Sequence, residues 1–200
     1  MRKIAALLVV ISLTSCGQGG KQNTNNVPAA TAVNTPTTVT NVTPPVPVPA
    51  DWKTYTKENY SIHYPPGWDV KEGPGVAKFT IYFSPDKACS NMGENVSLGV
   101  QDIGNESIDL DELAQSASTQ FKTMLDNYSL LSHTKLTDGT GDYEQTVFSG
   151  EMSSQKLMYE QRYRVINGKI YILTLACPSE GWDVGQKTGE QIMSLFSVNP

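Results

Sequence analysis

The side chains best equipped for covalent or metal chemistry are few: three cysteines, Cys16, Cys89 and Cys177, and two histidines, His63 and His133. A thiol can be acylated, oxidised or bound to a metal, and its neighbours and compartment decide which. No Gly-x-Ser-x-Gly, phosphate loop, His-Glu-x-x-His or Cys-x-x-Cys occurs anywhere in the chain, so no familiar catalytic constellation is spelled out. The acidic run 102–109 begins like a calcium loop but has Ser107 where the sixth position needs Gly and Leu113 where the twelfth needs Glu. His63 falls on the polar side of an alternating segment and is expected to be exposed; a weak metal ligand is the alternative. His133 follows a helical segment, where a cation can favour the helix C-terminus. Asp109, Asp111 and Glu112 could serve as an acid–base cluster, but their spacing is explained more economically by helix capping. No catalytic residue, cofactor or metal site is expected, and the chain reads as a non-enzyme.

Cys16 stands apart because of what precedes it. Arg2 and Lys3 give a basic start, and residues 4–11 form an unbroken apolar run, extended through Ser12 and Leu13, that leads into Leu13-Thr14-Ser15-Cys16. A run of about ten residues suits a signal-peptide core and is well short of the ~20 needed to span a bilayer as a helix. The last four residues resemble the bacterial lipobox. That resemblance implies cleavage after Ser15, a diacylglyceryl group on the Cys16 thiol, and small residues that admit the peptidase. Two acyl chains suffice for stable anchoring. Gly17 in place of Asp is compatible, by the same resemblance, with outer-membrane sorting. An ordinary signal peptide with an incidental cysteine is the competing reading.

Charge gives the anchor its importance. Without Arg2 and Lys3, the 15 basic residues fall to 13 against 20 acidic ones. An acidic chain lacks the clustered Lys and Arg that phosphate backbones require, which argues against nucleic acid, and it gains nothing from anionic lipid. The membrane is therefore expected to be reached through Cys16. Residues 17–50 contain no aromatic residue and only one charged residue, Lys21, so they cannot bury enough apolar surface to offset chain entropy. They read as a disordered tether spanning on the order of 30 Å, with a stiffer Pro-rich end at 44–49. The organisation is thus 1–15 signal peptide, 16–50 lipidated cysteine and tether, and 51–200 one folded domain holding all three Trp, nine Tyr and five Phe.

Within 51–200, Tyr60, Ile62 and Tyr64 alternate with polar residues, and Pro65-Pro66-Gly67 ends that strand with a turn. Residues 78–84 and 95–102 alternate likewise. At 109–127 the period changes to that of a helix, with Leu110, Leu113, Ala114, Ala117, Phe121, Met124 and Leu125 in one stripe and Asp109 at the cap. Strands follow at 143–149, 156–166 and 170–177, the last two joined by Asn167-Gly168, a strong hairpin signal. A final helix at 182–196 carries Ile192, Met193 and Phe196, although Gly185 and Gly189 weaken it. Strands, a helix, three strands and a helix predict an α+β domain, an antiparallel β-sheet flanked by helices. Cys89 and Cys177 both fall at strand ends in an exported domain. An even pair in an oxidising compartment is expected to form a disulfide, worth roughly 4 to 5 kcal/mol for a loop of about 88 residues. Two unpaired thiols, one of them buried, are the alternative.

Trp52-x-x-Tyr55, Tyr60-Ser-Ile-x-Tyr64-Pro65-x-Gly67-Trp68, and the Asn167-Gly168-Lys-x-Tyr171-x-Leu-Thr hairpin followed by Ser194-Leu195-Phe196 resemble PsbP-like domains. The resemblance follows the element order of the whole of 51–200. It implies an α/β/α sandwich and a binding or assembly role, and it carries over no functional residue. The chain is therefore expected to be a membrane-tethered extracytoplasmic accessory protein that engages an envelope protein or a small ligand. An envelope enzyme with a motif-free acid and Tyr site, and a surface spacer without a ligand, are the alternatives. Limited proteolysis of the folded protein should cut within 17–50 and leave a resistant core beginning near Asp51. A resistant fragment starting near Gly20 would show that the boundary is misplaced.

Overall fold

The computed structural model describes residues 47–83 and 93–199. Cys16, Cys89, the signal segment and nearly all of 16–50 lie outside the described residues. Ten strands and two helices follow one another as β1 (Lys53–Lys57), β2 (Tyr60–Tyr64), β3 (Trp68–Glu72), β4 (Ala77–Phe83), β5 (Asn95–Asp102), α1 (Leu110–Met124), β6 (Asp126–Asp138), β7 (Gly141–Met152), β8 (Gln155–Ile166), β9 (Lys169–Pro178), α2 (Trp182–Ser194) and β10 (Ser197–Val198). Seven strands form one sheet in the order β3-β4-β5-β9-β8-β7-β6, and a smaller sheet has the order β1-β2-β10. Every pairing is antiparallel. This is the α+β architecture expected from the sequence.

Strand β9 divides the interior in two. Its residues alternate between an apolar cluster containing Tyr171, Leu173 and Leu175 and another containing Ile170, Ile172 and Ala176. Period-two alternation puts these sets on opposite faces. The first face is covered by α2 and the small sheet, which contribute Ile192, Met193, Tyr60, Ile62 and Tyr64. The second is covered by α1 through Leu113, Ala114, Ala117 and Phe121. Phe121, Phe148 and Tyr159 stack there, with centroids 4.6 Å (Phe121–Phe148) and 4.9 Å (Phe148–Tyr159) apart. Trp68 is buried and Trp52 and Trp182 pack at the core margin, so all three tryptophans are packing residues.

Two expectations need correction. Between the helices there are four strands, not three, because β6 is a strand of 13 residues. It lies at the sheet edge, and bulges at Asp126/Ser129 and Leu130/Ser132 break its side-chain alternation, so it carries no clean period of two. The glycines of α2 are not weak points either. Gly189 lets the helix lie directly on Leu175, and a Cβ there would collide with that side chain's methyl groups. The Asn167-Gly168 turn forms as expected, with φ of 50° and 70°, the type I′ signature.

Gly189→Ala therefore separates two effects of opposite sign. Helix propensity alone favours Ala by about 1 kcal/mol, whereas overpacking a buried contact costs about 1–3 kcal/mol. Because Leu175 is fully buried and cannot swing away, urea titration should show Gly189→Ala as net destabilised. Gly168→Ala should lose more, since its Cβ would meet the backbone carbonyl of Gly104 at positive φ.

Candidate functional site

The helix α1 rests on two different surfaces. Its C-terminal half covers the aromatic stack, while its first turn lies over a polar layer that includes Glu144, Thr146 and Gln161, all buried. The helix begins there because Asp109 caps it: Oδ1 accepts from the backbone N–H of Asp111 at 2.8 Å and of Glu112 at 3.4 Å. The capping reading of these carboxylates holds for Asp109. Asp111 does something else. Its Oδ2 accepts from Gln115 Nε2 at 2.9 Å, and its Oδ1 turns inward toward the sheet.

Opposite Asp111 stand β6 and β7. His133 pairs with Thr146 and Lys135 with Glu144, so His133 and Glu144 are diagonal neighbours on the face beneath the helix. His133 Nε2 lies 3.1 Å from Glu144 Oε2 and 3.5 Å from Asp111 Oδ1. This corrects the expected role of His133. It does not follow α1 as a cation at its C-terminus; it sits within β6, beneath the opposite end of the helix, between two acids. The side chains run from surface to interior, with relative exposures of 38% for Asp111, 13% for His133 and 4% for Glu144. Burial pushes the Glu144 carboxyl above its ordinary range, and Asp111 adds to that, while His133 and Lys135 oppose it. The trio is not legible in the residue order, because three residues on three elements share no spacing.

Deeper in the layer, Tyr163 donates to Gln161 Oε1, and Gln161 Nε2 donates to Thr174 Oγ1 at 2.8 Å. Burial raises the Tyr163 hydroxyl well above the usual phenol range. On the opposite face, Arg164 grips Asp138 with two bonds, at 3.1 and 2.6 Å, and lies 4.9 Å above the Tyr143 ring. Asp138 also accepts from the backbone and hydroxyl of Thr140, which pins the turn between β6 and β7.

The remaining residues are less eventful. His63, expected to be exposed, is instead half-buried, and its Nδ1 pairs with Thr54 Oγ1 at 3.0 Å. In the 102–109 run, Asp102 Oδ1 accepts from Gly104 N–H at 2.9 Å, a local turn contact. Cys177 is a free, buried thiol at the end of β9, donating to the Pro178 carbonyl at 3.4 Å. Burial, with the nearby Glu94 carboxylate, pushes that thiol up to about 11. Its expected disulfide partner, Cys89, lies outside the described residues.

No protein-family model and no curated protein matches the sequence. Solved structures do match. The solution structure of cyanobacterial PsbP (CyanoP) from Synechocystis is similar with a TM-score of 0.55 at 17% identity, covering 74% of this chain and 93% of that one. The domain has a PsbP-like fold. A crystal structure of LpqN, described as involved in cell envelope biogenesis of Mycobacterium tuberculosis, is similar with a TM-score of 0.53 at 17% identity, over 70% of this chain and 83% of that one. In the PsbP-like domain described here, the trio Asp111, His133 and Glu144 is the one His/Cys/Asp/Glu group among the described residues whose donor atoms converge closely enough to hold a metal ion.

The cap at Asp109 positions Asp111, and its energetic share can be measured. Asp109→Ala should lower stability by about 1 kcal/mol, the usual cost of losing an N-cap acceptor. Asp109→Asn, which keeps an acceptor oxygen, should retain most of it. Equal losses in the two variants, read by urea unfolding, would show that the cap is not what Asp109 contributes.

Proposed function

We propose that this chain is a membrane-tethered, extracytoplasmic binding or accessory protein of the cell envelope, and that it is not a catalyst. The observation that carries this reading is the conjunction of a lipobox-like Leu13-Thr14-Ser15-Cys16 with a single PsbP-like domain. The similarity to LpqN, a protein described as involved in cell envelope biogenesis, supports placing the chain in that compartment. An acidic composition, with 20 acidic against 15 basic residues in the whole chain, leaves acylation as the means of attachment, because charge would repel anionic lipid. An envelope enzyme is the second reading, and the imidazole held between two carboxylates is the observation that favours it.

Membrane attachment through Cys16 is directly testable by fractionation. Cys16→Ala should move the protein to the soluble fraction or leave it as an uncleaved precursor. A Cys16→Ala protein that is processed and still sediments with membranes would overturn the reading. Crosslinking in native membranes, followed by purification of the intact lipoprotein, should capture a partner that Cys16→Ala no longer captures. Turnover of a substrate that stops in His133→Ala would favour the enzyme instead.

A further inference from the structure

Six buried side-chain polar atoms among the described residues make no hydrogen bond, and three of them are Asp111 Oδ1, His133 Nε2 and Glu144 Oε2. Orphaned buried polar atoms are uncommon, and each calls for an explanation such as an ion or water. Here half of them face one another, all within 4.8 Å. A single ion pair cannot satisfy both acids at once. His133 Nε2 is within ion-pairing range of both, at 3.1 Å from Glu144 Oε2 and 3.5 Å from Asp111 Oδ1, but one ring nitrogen carries at most one proton and cannot satisfy both. Glu144 is the strongest sign, because its side chain is 4% exposed and its Oε2, which makes no well-aligned hydrogen bond, points into the cluster. Leaving such an acceptor unsatisfied costs about 1–3 kcal/mol, and more when it is charged.

The geometry points to a divalent transition-metal site of the zinc class, with Asp111 Oδ1, His133 Nε2 and Glu144 Oε2 as its three protein ligands. Ligand bonds of about 2.0–2.2 Å in a tetrahedron separate neighbouring donor atoms by roughly 3.3–3.6 Å, and at right angles by roughly 2.8–3.1 Å. The observed separations from Nε2 are 3.5 Å to Asp111, the tetrahedral spacing, and 3.1 Å to Glu144, at the right-angle limit, so the pair fits a distorted four-coordinate ion. One nitrogen and two carboxylate oxygens suit zinc or a neighbouring first-row ion. Calcium takes six to eight oxygen ligands and is poorly served by an imidazole. The site also has the support that metal ligands require: Asp111 is held by Gln115 and by the backbone bond to Asp109. Because Asp111 is the partly exposed member, solvent or a ligand atom can reach the fourth position from its side, the arrangement of an open site. This inference is independent of the envelope reading, since it concerns the folded domain whatever its location.

The test uses the full-length protein in detergent, stripped with chelator and then dialysed against zinc chloride alone. One zinc per chain should be retained, and it should raise the melting temperature by mass action on the folded state. Asp111→Asn alters a partly exposed side chain and should still fold, as circular dichroism will show; it should bind zinc at least ten-fold more weakly. His133→Asn should abolish retention, while His63→Asn should leave it unchanged. Excess calcium should not displace the zinc. Failure of the wild-type protein to retain zinc overturns the proposal. So does a folded Asp111→Asn or His133→Asn variant that binds as wild type, which would place the metal at His63 or at a thiol. Displacement by calcium would overturn the assignment of metal class.

Discussion

Everything in this domain depends on one strand being buried on both faces. β9 sits between β5 and β8 in the sheet order, and its side chains feed two cores that never meet. Burying an aliphatic or aromatic side chain contributes on the order of 1.5–3 kcal/mol, so a register slip of one residue in β9 would exchange the two sets and misfit both. Leu173 opposite Leu98 and Ala176 opposite Tyr159 show how tightly the neighbours are bound by that constraint. The small sheet and α2 can only lie where Tyr171, Leu173 and Leu175 emerge, and α1 only where Ile170, Ile172 and Ala176 do.

The same alignment places the polar trio. Helix α1 and strand β7 run in the same direction, so Asp111 meets Glu144 at one end while Phe121 meets Phe148 further along. The aromatic end supplies the binding energy that holds the helix down. A Phe→Ala change in such a core typically costs 3–5 kcal/mol, several times the worth of the Asp109 cap. The polar end can therefore carry unsatisfied groups without the helix lifting, because the stability that fixes Asp111 is generated elsewhere.

Much of this was legible in the residues. Alternation located β2, β4, β5 and β7 to β9, the stripe from Leu110 to Leu125 located α1, and Asn167-Gly168 located the hairpin. What escaped has physical reasons. β6 is an edge strand, half solvated and twice bulged, so it keeps no period. Gly185 and Gly189 read as helix breakers because propensity ignores the neighbour that needs the space: Gly189 exists for Leu175, and Gly185 lies against Cys177 and Glu94. His133 was read from its position in the chain, just after a helix, whereas its surroundings are set by the strand that returns beneath the start of that helix. Asp111 looked like one of three acids suited to a helix start, and only the tertiary packing separates it from Asp109.

The pairing of β5 with β9 has a kinetic consequence. Asp102 and Lys169 are bonded neighbours at the end of that ladder, yet the chain between them contains α1 and the whole of β6, β7 and β8. Those three strands meet through local turns and can form early with little loss of chain entropy. Joining β5 to β9 must instead close a loop spanning all of them, and folding slows as such closures span more of the chain. Until that closure, β9 has β8 but lacks its second neighbour, and an apolar strand edge is open to other chains. The interval before β5 arrives is the period of greatest exposure to aggregation.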